Sequence, residues 1–178
     1  METTKNKLTP YESDFFNRLR IYLDTPIYFY GSIQRDDYKP GYSDIDIDIF
    51  TENMNSTIIK IQRFLNNTDY TKVVIKPLNK KGIIDGCKFK YEEIENKFQC
   101  EISLYNIKNK DEILQEHGRK IDTPFIISML LVLLKTLYFN IGIIPKNIYL
   151  KAKNFVMDLV DYDYKGFVSF DQYIVKDE

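Results

Sequence analysis

Between Ile27 and Phe50 the chain joins an unbroken apolar stretch, Ile27 to Tyr30, to the pair Gly31-Ser32, and then reaches Asp44-Ile45-Asp46-Ile47-Asp48-Ile49-Phe50. In an extended segment successive side chains point to opposite faces, so Asp44, Asp46 and Asp48 share one face while Ile45, Ile47 and Ile49 share the other. The isoleucine face belongs on a core. Carboxylates stacked along the opposite face repel one another and resist burial, and a bound cation is the natural reason to tolerate them there. A calcium loop is excluded by its own pattern, because the positions that need Gly and Glu hold Ile49 and Asn55.

The 178 residues are 44% hydrophobic and 29% charged, which fits one compact domain with a small helical extension. Net charge is -1 and the pI about 5.9, so no global basic field attracts nucleic acid, and a polyanion would need a local patch. Cys87 and Cys100 lack metal-ligand spacing, and Met1 to Lys7 is polar and Lys-rich, unlike a signal peptide. The sequence therefore predicts a reducing, cytoplasmic setting. Phe125 to Leu134 is strongly apolar but ends at Lys135, well short of the roughly 20 residues of a membrane span. It reads as a buried helix, with no membrane partner.

Thr9-Pro10-Tyr11-Glu12 has the form of a capping box with Pro at the first helical position, and predicts a helix to about Leu23. Pro26 sets the boundary before the strand Ile27 to Tyr30, whose lack of alternation predicts burial on both faces and a central place in the sheet. A short helical stretch after Gly31-Ser32, a loop at Lys39-Pro40-Gly41 and the strand Ile45 to Phe50 follow. A helix from near Asn55 closes at Asn66-Asn67, Tyr70 to Lys76 alternates as a strand, and Cys87 to Ile94 pairs with Phe98 to Tyr105 across a turn at Glu95-Asn96-Lys97. After Thr123-Pro124 the chain is helical, from Phe125 to about Asn140 and from Pro145 to near Tyr162. The weak alternation beyond Asp163 fits a strand or an ordered extension.

On the strand Phe98 to Tyr105, Phe98, Cys100, Ile102 and Leu104 face one way, so Glu101 stands on the other face inside an apolar frame. These residues resemble the DNA polymerase beta-like nucleotidyltransferase superfamily, whose signature is a strand, Gly-Ser or Gly-Gly, an Asp-x-Asp or Asp-x-Glu after a spacer, and a later lone carboxylate between apolar residues. Here the parts are Tyr30-Gly31-Ser32, Ser43-Asp44-Ile45-Asp46-Ile47 and Cys100-Glu101-Ile102, with Arg35 matching a Gly-Ser-x-x-Arg form. The resemblance covers about residues 27 to 105. It implies an α+β fold, a mixed β-sheet backed by helices, with a catalytic domain at 1–115 and a short helical C-terminal part at 116–178.

The chemistry so implied is transfer of an NMP from an NTP to a hydroxyl acceptor with release of pyrophosphate. It requires a neutralised triphosphate, an activated hydroxyl and a stabilised leaving group, and two Mg²⁺ (or Mn²⁺) ions about 4 Å apart serve all three needs. Hard cations select oxygen ligands, so Asp44 and Asp46 would bridge both ions and Glu101 would hold the one nearer the acceptor and take up its proton. Gly31 permits close backbone approach, Ser32 and Ser43 flank the phosphates, and Arg35 is a candidate clamp, although an arginine there serves equally as an ion-pair partner. Asp48, one step further along the strand, takes a supporting place behind the ions.

Leu130 to Tyr138 is similar to the helical element of poly(A) polymerases, oligoadenylate synthetases and cyclic-dinucleotide synthases in which a lysine meets the triphosphate. That resemblance makes Lys135 a nucleotide ligand; the alternative is a lysine snorkelling at the helix rim. His117 reads as a solvated helix residue. Lys72, Lys76, Lys80, Lys81, Lys88 and Lys90 face a single acid, Asp85, and can cradle nucleic acid or a phosphorylated acceptor, but a solvated hairpin with a lysine-protected edge is the preferred reading. Tyr70, Tyr91 and Tyr105 offer faces on which a base can stack, but aromatic residues at strand spacing usually build cores. Two other functions share these residues: a silent nucleotide-binding module, such as an antitoxin or regulatory subunit, and a metal-dependent nuclease.

Overall fold

The computed structural model describes residues 2–75, 83–119, 121 and 124–162. The elements are α1 (Pro10–Leu23), β1 (Ile27–Tyr30), β2 (Ile45–Thr51), α2 (Met54–Leu65), β3 (Thr71–Ile75), β4 (Ile84–Glu93), β5 (Phe98–Asn106), α3 (Lys110–Arg119), α4 (Phe125–Lys135) and α5 (Lys146–Tyr162). Local chemistry sets the boundaries. In α1 the capping box forms as read: the Glu12 amide donates to Thr9 Oγ1 at 3.3 Å and the Thr9 amide to Glu12 Oε2 at 2.7 Å. Asn53 caps α2 by accepting from the Ser56 amide at 3.0 Å, and Asn66 ends it in the left-handed region at φ 49°.

The five strands form one mixed sheet in the order β1-β2-β5-β4-β3, antiparallel except for the β2–β5 pair. The α+β reading is therefore correct. Phe15, Phe16 and Leu19 of α1 and Ile61 and Leu65 of α2 pack with Ile45, Ile47, Ile49, Cys100, Ile102 and Leu104. All three isoleucines of β2 are fully buried, worth roughly 5–9 kcal/mol together before chain entropy. That anchorage fixes the register and so holds the aspartates on the opposite face.

The central position expected for β1 is wrong: it lies at the sheet edge, paired only with β2. Its two faces are nonetheless covered, Phe29 by Phe16 of α1 and Tyr28 by the cluster that includes Ile113 of α3. Burial on both faces reports the layers above and below a strand, whereas sheet position depends on lateral pairing.

The β4–β5 hairpin and its turn at Ile94–Lys97 follow the expectation. Tyr91 stacks on Phe15, Tyr70 on Phe89, and Tyr105 is fully buried, so these tyrosines build the core. After Lys135 the backbone widens into a π-helical turn, Thr136–Ile141, which Gly142 ends at φ 70°. Pro124 stands at the N-cap of α4 without a side-chain cap bond. Thr123, the tail from Asp163, and Lys76, Lys80 and Lys81 lie outside the described residues. No helix among the described residues is long and apolar enough to cross a membrane.

Candidate active site

Where β1 ends, Gly31 turns the chain at φ +72°, and a Cβ built on it would lie 2.2 Å from Asp46 Oδ2. Only glycine satisfies both conditions. The turn is thereby pressed against the aspartate strand, and buried Ser32 donates from Oγ to the Asp44 carbonyl at 3.5 Å. Across the parallel β2–β5 ladder Asp46 is the register partner of Glu101, on strands about 4.8 Å apart. The fold thus brings together Gly31, Ser32, Asp44, Asp46 and Glu101. Burial, and then the charges of Asp44 and Glu101, push the Asp46 carboxyl well above its ordinary range.

Among the described residues no group of three or more His, Cys, Asp or Glu side chains encloses a metal ion by itself. The donor set nevertheless suits a hard cation, since it is all carboxylate, shares one face and is electrostatically strained. Mg²⁺ ordinarily takes one or two carboxylates and completes its shell with phosphates and water. Lys88 of β4 now supplies positive charge here: its Nζ donates to Glu101 Oε1, and Lys90 Nζ lies 3.9 Å from Oε2. Lys72 belongs to the other sheet face, opposite Cys87, so the lysine cluster read from the sequence is divided between the two faces.

Arg35 and Lys135 converge on a residue that sequence reasoning passed over. Asp37, 2% exposed, accepts from Arg35 Nε at 2.8 Å and lies 3.0 Å from Lys135 Nζ through its other oxygen. Lys135 also donates to the Asp37 carbonyl at 2.6 Å and to Ser43 Oγ at 3.0 Å. Its three protons therefore all have partners within the protein, and instead of snorkelling at a rim it pins α4 to the 37–43 loop. Burial raises the Asp37 carboxyl, but the hydrogen bond and charge of Arg35 and then Lys135 outweigh it and hold the group below its usual value. For Lys135 the balance reverses, and burial lowers its ammonium despite Asp37.

The half-exposed Lys153 of α5 was also missed. Its charge is felt by both Asp46 and Lys135. Between the 41–43 loop and the helical part opens a cleft of about 300 Å³ bordered by Tyr42, Ser43, Lys97, Tyr138, Phe139 and Tyr149. Tyr138 and Tyr149 stack at 4.5 Å between centroids. A cleft of similar volume lies between the N-terminal residues and α1, away from Ser43. Nothing in the spacing of α5 marks Lys153, because one lysine on an amphipathic helix has the same pattern whether it faces water or a site.

Asp48 is fully buried, with Oδ2 2.7 Å from His117 Nδ1 and Oδ1 without a partner among the described residues. His117 is consequently not solvated. Its ring stacks on Tyr30 at 3.9 Å, and the Tyr30 hydroxyl lies 3.1 Å from Ser103 Oγ, the residue in register with Asp48. Burial pushes the Asp48 carboxyl up, against the charge and hydrogen bond of His117. This arrangement ties α3 to the floor of the site.

The sequence profile of the nucleotidyltransferase domain family matches residues 12–129, well over half of the chain, and spans the turn and all three carboxylates. The chain belongs to the nucleotidyltransferase domain family. The resemblance carried by Gly31-Ser32, Asp44-Ile45-Asp46 and Glu101 is thereby established. The match ends within α4, so Lys135 and Lys153 lie beyond it. No sequence among curated proteins matches significantly. One solved chain, described as the polymerase core of TRAMP, an RNA surveillance complex, aligns with a TM-score of 0.37 and 18% identity, covering 74% of this chain. The alignment takes in 43% of that chain, less than half its length.

Proposed function

We propose that the protein transfers an NMP from an NTP to a hydroxyl acceptor, releasing pyrophosphate, with a divalent cation, Mg²⁺ or Mn²⁺, held by Asp44, Asp46 and Glu101. The carrying observation is the register pairing of Asp46 with Glu101 beneath a glycine turn that leaves no room for a side chain. Held by these carboxylates, such a cation would neutralise the triphosphate and make the acceptor hydroxyl more acidic. Gly31 and Ser32 border the terminal phosphates, and Lys153 approaches them from the helical side. Glu101 takes the acceptor proton. Arg35 and Lys135 act through Asp37, fixing the loop that presents Ser43 and Asp44. The aromatic cleft next to Ser43 has the size and stacking faces for a nucleobase.

A pyrophosphate-release assay over four NTPs with Mg²⁺ or Mn²⁺ and a mixed acceptor panel tests this reading, with labelled products identified by mass. Release that needs both cation and acceptor supports it. NTP binding without release across the panel would favour a silent nucleotide-binding module, and phosphodiester cleavage without NTP would favour a nuclease.

A further inference from the structure

Given nucleotidyl transfer at Asp44, Asp46 and Glu101, the reading on which this inference rests, the lysines beside Glu101 bear on the acceptor. The glycine turn lies beyond β2, on the β1 side of the sheet, so the departing pyrophosphate belongs there. In-line displacement at the α-phosphorus then brings the acceptor from the opposite side, over β5 and β4. That side carries Lys88 and Lys90, alternate residues of β4 in register with Ser103 and Glu101 and therefore on the site face. Lys88 is nearly buried, its side chain 13% exposed against Glu101, whereas that of Lys90 is 83% exposed. The next residue on this face, Glu92, accepts from Gln99 Nε2 at 2.7 Å.

When Glu101 turns to a cation or to the acceptor proton, the Lys88 ammonium loses its hydrogen-bonding partner in a place with little water and keeps only the longer-range charges of Asp46 and Asp48. A buried unpaired ammonium is costly, and a neutral acceptor offers it nothing. We infer that the acceptor carries a phosphate group near its reacting hydroxyl, and that Lys88 and Lys90 hold that phosphate. A nucleotide 5′-phosphate and a sugar phosphate share this chemistry. In the step itself the hydroxyl oxygen bonds to the α-phosphorus, the bond from that phosphorus to the β-bridging oxygen breaks, pyrophosphate leaves with the electron pair, and the proton passes to Glu101.

The test uses the full chain with Mn²⁺ and NTP and acceptor pairs differing only in phosphate: adenosine against AMP, and glucose against glucose 6-phosphate. Pyrophosphate release is followed, and binding of each acceptor is measured calorimetrically with a non-hydrolysable NTP present. At least one phosphorylated member is expected to exceed its partner by about tenfold in kcat/KM or in affinity, the pair that responds naming the phosphate source. Lys88→Met and Lys90→Met should each reduce that ratio by about tenfold, with Lys88→Arg keeping part of it. Lys90 is exposed, so its variant folds even if the Lys88 variant does not. Equal use of both members, an unchanged ratio in the variants, or no binding or reaction of either phosphorylated probe by a protein that NTP stabilises would overturn the inference alone. Absence of NTP-dependent thermal stabilisation would overturn the function reading with it.

Discussion

Replacing Gly31 with alanine tests how closely the turn is fitted to the aspartate strand. The new methyl meets two obstacles. A non-glycine residue at φ +72° costs roughly 1–2 kcal/mol. The methyl would also stand 2.2 Å from Asp46 Oδ2 and 3.1 Å from its Cγ, so the carboxylate must leave its rotamer at roughly 0.5–1.5 kcal/mol. The sum, roughly 1.5–3.5 kcal/mol, predicts a fall in Tm of roughly 3–14 °C for a chain of this size. Asp46→Ala removes the offending oxygen and leaves only a Cβ at 3.4 Å, an ordinary contact. In that background Gly31→Ala should cost only the backbone part, and the cycle should show coupling of about 0.5–1.5 kcal/mol. Since the methyl displaces the carboxylate proposed to hold the cation, Mn²⁺ affinity of Gly31→Ala should fall by about tenfold or more by calorimetry. Additive costs in both backgrounds, or Mn²⁺ binding like that of the unmodified protein, would refute the reasoning.

The buried cations and histidine give further tests. Lys135→Met removes one partner of buried Asp37 while Arg35 remains, so urea unfolding should show a loss of about 3 kcal/mol. Because the folded-state value of Asp37 is depressed, it contributes stability above the unfolded carboxylate pKa of about 3.9 that is lost as pH falls through the lower folded value. Urea midpoints should accordingly drop on acidification through that window, with a shallower slope in Asp37→Asn. His117→Leu strips fully buried Asp48 of its partner at 2.7 Å and should cost about 3 kcal/mol or more. Adding Asp48→Asn to that variant should recover most of the loss, because the uncompensated charge is gone.

The parts of the fold written in short-range chemistry were legible in the sequence. Thr9 and Glu12 cap α1, the Ile and Asp alternation sets both faces of β2, and Glu101 stands out because its neighbours on β5 are apolar. Lateral pairing was not legible, which is why β1 was misplaced: two helices covering its faces leave the same apolar run as two neighbouring strands would. His117 and Asp48 are 69 residues apart, and a lone histidine on a polar helix carries no mark of a buried partner. Asp37 was hidden for the same reason, since its two cations arrive from Arg35 beside it and from Lys135, 98 residues away. Lys88 was visible only as one of a group of lysines. It takes the sheet register to separate it from Lys72 and set it on Glu101.

The central claim is that Asp46 and Glu101, paired in register beneath Gly31, serve cation-dependent nucleotidyl transfer. The most direct measurement is pyrophosphate release from NTP by the purified protein and by Asp46→Asn, with and without Mg²⁺ or Mn²⁺, over the acceptor panel. The account predicts cation-dependent release by the unmodified protein and its loss, by about a hundredfold or more, in a folded Asp46→Asn. Release that continues undiminished in Asp46→Asn, or that proceeds equally well in EDTA, would contradict it.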